Sequence, residues 1–238
     1  MTWSIIARDA QTGKFGIAVA TRFFAVGALV PYTEAAAGAI ASQALINPFF
    51  GVNGLKFLHD GLSAVETLSK LVASDDGREH RQVHVMDAAG NAAIHTGASC
   101  IDWCGGVSQP HLSVAGNMLA NAGVIAATAA AYHAHSNVPF ARRLIAALKA
   151  GEAAGGDKRG KQSAALVIQG DERWPELDLR VDDHADPLAE LERLENVSRE
   201  RFVHFMRCLP SRANPKGITD RATIEAEIEQ ARRAPSQT

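Results

Sequence analysis

Apolar and polar positions change their spacing several times along the chain, and each change predicts an element. Trp3 to Arg8 and Phe15 to Ala20 are strand-like runs separated by the turn residues 9–13, which predicts a hairpin. A third strand of small and apolar residues is expected over 35–43, followed by a loop at Asn47-Pro48 and two short helices over 51–60 and 63–74. Residues 81–88 and 91–96 predict a second hairpin about Ala89-Gly90, and 112–115 a short strand that ends at Gly116-Asn117. Helical composition returns over 121–133 and 139–149; a Gly-rich loop over 151–160 then leads into strands over 163–169 and 177–181. Leu188, Leu191, Leu194, Val197 and Phe202 recur at helical intervals, so 186–207 is expected as one amphipathic helix. Beyond it the chain is charged and poor in apolar residues, with Pro210 and Pro215 as breakers. This divides the protein into a domain over 1–207 and a loosely attached tail over 208–238 with a short helix.

Strands, a helix pair, strands, a second helix pair and strands again is the order required by two packed sheets with helices on their outer faces. The expected fold class is therefore α+β, a four-layer αββα sandwich. The 238 residues are 47% hydrophobic with a net charge of −2, enough for one sizeable domain and without a broad basic field for nucleic acid. No apolar run approaches the length of a membrane span and no export signal pattern opens the chain, so a soluble cytoplasmic protein is expected. Three cysteines do not make a disulfide framework. Cys100 and Cys104 with His95 and His111 have the wrong spacing for zinc, and no metal or cofactor is expected. Gly155 to Gln162 approaches a phosphate loop, but Gln162 stands where Ser or Thr is required and the segment joins a helix to a strand, the reverse of the phosphate-loop order.

The candidate chemistry begins at Thr2. Methionine is removed in the cell ahead of a residue as small as threonine, which would leave Thr2 at the amino terminus. A terminal threonine joins a hydroxyl nucleophile to an amine of pKa about 7.7–8.0, so that one residue supplies both the attacking group and its base.

Further motifs carry a resemblance. Thr2-Trp3-Ser4-Ile5-Ile6-Ala7-Arg8-Asp9, Gly16 to Phe23, Ala41-Ser42-Gln43-Ala44 with Asn47-Pro48, Asp87-Ala88-Ala89-Gly90, Gly116-Asn117-Met118-Leu119 and Gly155 to Ala164 together resemble the family labelled domain of unknown function 1028. More broadly, the layer order and a strand that starts at a nucleophile resemble the N-terminal-nucleophile (Ntn) hydrolases, among them proteasome subunits and several amidases. The resemblance implies that fold. It carries over no substrate, and the chain has no obvious lysine on its third strand of the kind that tunes the nucleophile in proteasome subunits.

Acyl transfer from a small amide or short peptide-like substrate is the expected reaction. Thr2 would attack, Arg22 would lower the amine pKa or clamp a carboxylate, and backbone N–H groups around Gln43-Ala44 would bind the oxyanion. Asn47, Asn117 and His95, at expected strand ends, and Lys161 and Ser163, at the mouth of a strand, are candidate substrate contacts. A homo-oligomer is possible. The alternative is a non-catalytic binding or assembly protein that keeps the fold.

Overall fold

Ten strands and two groups of helices occupy residues 2–233, the part of the chain that the computed structural model describes. Met1, whose removal the sequence predicts, and residues 234–238 of the tail lie outside that part. The first hairpin forms as expected, from β1 (Thr2–Arg8) and β2 (Phe15–Thr21). With β7 (Gly105–Gln109), β8 (Leu112–Asn117), β9 (Ser163–Gln169) and β10 (Leu177–Val181) it makes a six-stranded antiparallel sheet in the order β10-β9-β2-β1-β8-β7. A second antiparallel sheet has the order β3-β4-β5-β6, from Pro31–Glu34, Gly38–Ala44, Arg81–Asp87 and Ala92–Thr96.

The helices form two groups, one on the outer face of each sheet. α1 (Pro48–His59) and α2 (Ala64–Ala73) pack on the smaller sheet, burying Phe50, Leu58 and Leu71 against Ile40, Val83 and Val85. α3 (Gly123–Ala134), α4 (Phe140–Ala153) and α5 (Pro187–Glu200) cover the larger one and bury Trp3, Ile5, Leu112, Val114, Leu144, Leu148 and Leu191. Alternation along the strands sends the other side chains into the layer between the sheets. One part of that layer is apolar, built from Ile6, Ile17, Val19, Ala39, Ala41 and Met86.

Three expectations are corrected. The third strand is in fact a hairpin, β3 and β4, turning at Ala35 to Ala37 with Ala36 at φ 60. Nothing in an alanine run announces a left-handed turn. Gly38 follows it because a Cβ there would lie 2.2 Å from the Met86 carbonyl oxygen. The edge strand β7, Gly-Gly-Val-Ser-Gln, lacks the apolar alternation that would have marked it. The helix expected over 186–207 breaks at Arg201 (φ −151), between α5 and the one-turn α6 (Phe202–Phe205). The break leaves Phe202 47% exposed and turns Val203 toward the core instead. In the tail, α7 (Arg221–Arg233) rests on α6 through the Arg201–Glu225 ion pair and buries Ile228.

Candidate active site at the start of the first strand

Thr2 opens β1 in the middle of the larger sheet, opposite Asn117 on β8, and is 5% exposed. Trp3 pairs with Ala20 on β2, and one position further out the Thr2 hydroxyl donates to Thr21 Oγ1 at 3.2 Å. Asn117 Nδ2 makes a long contact of 3.5 Å to the Thr2 carbonyl and donates to Gln82 Oε1 at 3.0 Å.

Behind Thr2, the inter-sheet layer holds a chain of buried polar side chains. Their orientations follow from groups that can only accept. Gln43 Nε2 faces the Ala115 carbonyl (3.1 Å) and Gln82 Oε1 (2.8 Å), which turns Gln43 Oε1 to Ser4 and makes the Ser4 hydroxyl its donor at 2.7 Å. With its proton spent, Ser4 Oγ accepts from His84 Nε2 (2.8 Å), and His84 Nδ1 then accepts from the Ser113 hydroxyl (2.9 Å). Gln82 is fixed in the same way, because its Nε2 faces the carbonyls of Gly116 (2.8 Å) and Gly105 (3.2 Å) as well as Thr96 Oγ1 (2.9 Å). Burial pushes the His84 imidazole down to about 3, so at neutral pH it is uncharged, with its proton on Nε2.

Sequence reasoning did not single out Ser4, Thr21, Gln82, His84 or Ser113. A signal exists in β5, where polar Gln82 and His84 alternate with Val83 and Val85. Valines that pack under α1 and α2 send their alternates between the sheets, where a polar residue needs a partner.

The structure separates the residues expected to act together. Thr2, Gln43 and Asn117 belong to one connected region. Gln43 has both amide ends engaged, which fits positioning of its neighbours better than direct contact with a substrate. Arg22 is exposed; its backbone N–H donates to Asp157 Oδ2 (2.8 Å) and its guanidinium to the Arg159 carbonyl (2.8 Å), so the side chain lies along the Gly-rich loop. Asn47 caps α1, accepting from Phe49 N and donating to Asp75. His95 bonds the Arg78 carbonyl on the helix-covered side of β6, away from the inter-sheet layer. Lys161 is held between Glu152 (2.8 Å) and Asp186 (3.0 Å). Ser163, fully buried, donates to the Phe23 carbonyl and accepts from Val26 N, pinning the loop after β2. These last four have structural occupations that leave no group aimed at Thr2.

Among the described residues no group of His, Cys, Asp and Glu is arranged to hold a metal ion, and no helix is long and apolar enough to cross a membrane. Burial, with Asp102 beside it, pushes the Cys104 thiol up to about 11, so that it stays protonated.

A family model described as a family of unknown function, DUF1028, matches residues 2–191. The chain belongs to the DUF1028 family. That match starts at Thr2 and takes in every member of the polar chain described above. Among solved structures, the chain is similar to the DUF1028 protein SPO2555 from Silicibacter pomeroyi at 36% identity and a TM-score of 0.85, over 92% of this chain and 99% of that one. Anbu (ancestral beta-subunit) from Yersinia bercovieri also matches, at 11% identity and a TM-score of 0.39, over 88% of this chain and 98% of that one. No curated protein matches.

Proposed function

We propose that this DUF1028 protein is an amide hydrolase of the Ntn type, a four-layer αββα sandwich whose nucleophile is Thr2 after loss of Met1. The observation that carries the reading is the Thr2 hydroxyl, set at the end of the inter-sheet layer, bonded to Thr21 and backed by a fully partnered polar chain. Buried polar chains of this kind fix geometry, which is what a positioned nucleophile requires. Support also comes from Ala44, whose left-handed backbone (φ 68) turns the chain out of β4 beside Gln43; strain held in place by its surroundings is common at catalytic sites.

In the proposed reaction the freed Thr2 amine takes the hydroxyl proton as Oγ1 attacks the substrate carbonyl. Backbone N–H groups around Gln43-Ala44 receive the oxyanion. The amine of the substrate leaves with the proton, and water then hydrolyses the Thr2 ester to release the acid and restore the hydroxyl. Asn117 holds the Thr2 carbonyl, and Arg22 fixes the loop at the rim. The substrate is a small amide or short peptide-like molecule and the reaction needs no cofactor.

Intact-mass spectrometry of the purified protein, followed by a hydrolysis screen of N-acyl and N-carbamoyl amino acids with wild type, Thr2→Ala and Thr2→Ser, tests this. Loss of Met1, activity in wild type, none in Thr2→Ala and a residue of it in Thr2→Ser are expected. Equal turnover by Thr2→Ala removes the mechanism, and a retained Met1 or an acetylated Thr2 supports a non-catalytic binding or assembly role instead.

A further inference from the structure

β1 spans about 20 Å from Thr2 to Arg8, at about 3.4 Å per residue, and its far end opens on a different feature. A groove of about 1170 Å³ runs between the turns that follow β1 and β7, the α3–α4 loop and the segment from Val203 to Ala213. That last wall lies beyond the residues matched by the family model. Nothing in the Thr2 chemistry uses this groove.

Its lining combines aromatic surface with guanidinium groups that the protein does not neutralise. Phe140 and the 42%-exposed Trp174 provide the aromatic part, above the buried ring of Tyr132. Arg8, Arg143 and Arg207 provide the cationic part, and among the described residues none of the three has a carboxylate within ion-pair distance. Arg143 donates Nε to the Tyr132 carbonyl (2.6 Å) and stacks on the Tyr132 ring 3.6 Å from its centre. Arg8 Nε is sealed from solvent and has no hydrogen-bond acceptor among the described residues.

The carboxylates of the groove are mostly occupied. Glu176 pairs with Lys14, Glu195 with Arg142 and Arg199, and Glu172 lies 4.0 Å from Arg212. Asp9 accepts from the Thr12 N–H and hydroxyl within the β1–β2 turn, and Asp171 is exposed at the rim.

We infer that this groove is a binding site for an organic oxyanion, a carboxylate or phosphate carried on an aromatic body. Guanidinium forks match both oxyanions, and the aromatic side chains cover the body while leaving the charged end to Arg8, Arg143 and Arg207. The inference stands apart from the proposed hydrolase activity, since it uses neither Thr2 nor the inter-sheet layer.

Isothermal titration of the full-length protein with phenyl phosphate and with benzoate, against benzyl alcohol and benzylamine, tests it. Probes this small are expected to bind with Kd of about 1–10 mM, the anions about tenfold more tightly than the alcohol or the amine. Arg8→Gln and Arg207→Gln should each weaken the anions about tenfold, the loss expected of one charge-assisted contact. Thr2→Ala should bind them as wild type does, which separates this site from the proposed catalytic one. Arg207 is exposed, so its variant reports even where Arg8→Gln fails to fold. No saturable binding, an amine bound as tightly as the anions, or anion binding unmoved in Arg207→Gln overturns the inference.

Discussion

The two parts of the inter-sheet layer use the same strands for opposite chemistry. Inward-facing positions along β1 run Thr2, Ser4, Ile6, and those along β5 run Gln82, His84, Met86. At one end Ile6 and Met86 meet Ile17, Val19, Ala39 and Ala41 and need only shape to pack. At the other end Ser4, Gln43, Gln82, His84, Ser113 and Asn117 are just as buried, and each is tolerable only while its partners stay in place. Apolar residues of similar volume would hold the sheets together at least as well. A polar end therefore specifies geometry where an apolar end supplies cohesion, and the one reactive hydroxyl proposed as a nucleophile sits at the polar end.

The largest effect comes from removing the hub of the polar end. Gln82→Leu strips partners from Gln43 Nε2, Asn117 Nδ2 and the Gly116 carbonyl, buried groups whose unmet bonds cost about 1–3 kcal/mol each, and from the half-buried Gly105 carbonyl. A loss of about 4 kcal/mol or more in urea unfolding is expected, against about 2–5 kcal/mol for Ile17→Ala in the apolar part. A double variant separates the two kinds of cohesion further, because sites without shared partners should add within about 0.5 kcal/mol. Gln82→Leu as mild as an exposed substitution would mean that the polar end is loosely held.

Acid should also strike the two ends unequally. Burial keeps the folded His84 neutral down to about 3, whereas the unfolded residue takes its proton near 6.5. Between those values the unfolded state binds the extra proton, so stability is full above about 6.5 and falls with decreasing pH, by at most about 1.4 kcal/mol per unit. His84→Gln should flatten that limb of the pH–stability curve while the apolar variant Ile17→Ala keeps its slope. An unchanged limb in His84→Gln would place the acid sensitivity elsewhere.

The apolar part was legible in the sequence because strand periodicity and burial say the same thing there. β1, β2, β9 and β10 lie where the runs of apolar residues place them, and the DUF1028 motifs point to the family that the match over residues 2–191 shows. The candidate site was legible only at Thr2, Gln43 and Asn117. His84 and Gln82 look like ordinary strand polar residues until the register shows which face they share with Ser4 and Asn117. Conversely Asn47, Lys161 and Ser163 stood at suggestive places, but a helix cap, a pair of carboxylates and a loop carbonyl already occupy them. Proximity of strand ends in sequence does not say whether a polar group is already satisfied, and that depends on partners distant along the chain.

A smaller effect sharpens the link between the polar end and Thr2. Thr21→Val keeps shape and removes the hydroxyl that accepts from Thr2, at a cost of about 1 kcal/mol in stability. On the proposed mechanism the Thr2 hydroxyl then loses its orientation, and kcat should fall more than KM rises. A proportionate change in both, or none, would confine Thr21 to packing.

The smallest effect is expected at Arg22, where the comparison meets the surface. The sequence suggests a carboxylate clamp, while the structure lays the guanidinium on the Arg159 carbonyl at an exposed loop and leaves the Asp157 contact to the Arg22 backbone. Arg22→Met keeps that backbone bond and removes one exposed hydrogen bond, so stability should change by only about 0.5 kcal/mol. If Arg22 shapes only the rim, the variant should keep any preference of wild type for N-acyl amino acids over their methyl esters. A clamp predicts the opposite, a loss of about tenfold to a hundredfold for the free acids and none for the esters, because a guanidinium–carboxylate contact contributes about 1.5–3 kcal/mol. Measuring kcat/KM for both substrate forms in wild type and Arg22→Met decides whether substrate recognition extends beyond the buried polar end to this exposed loop.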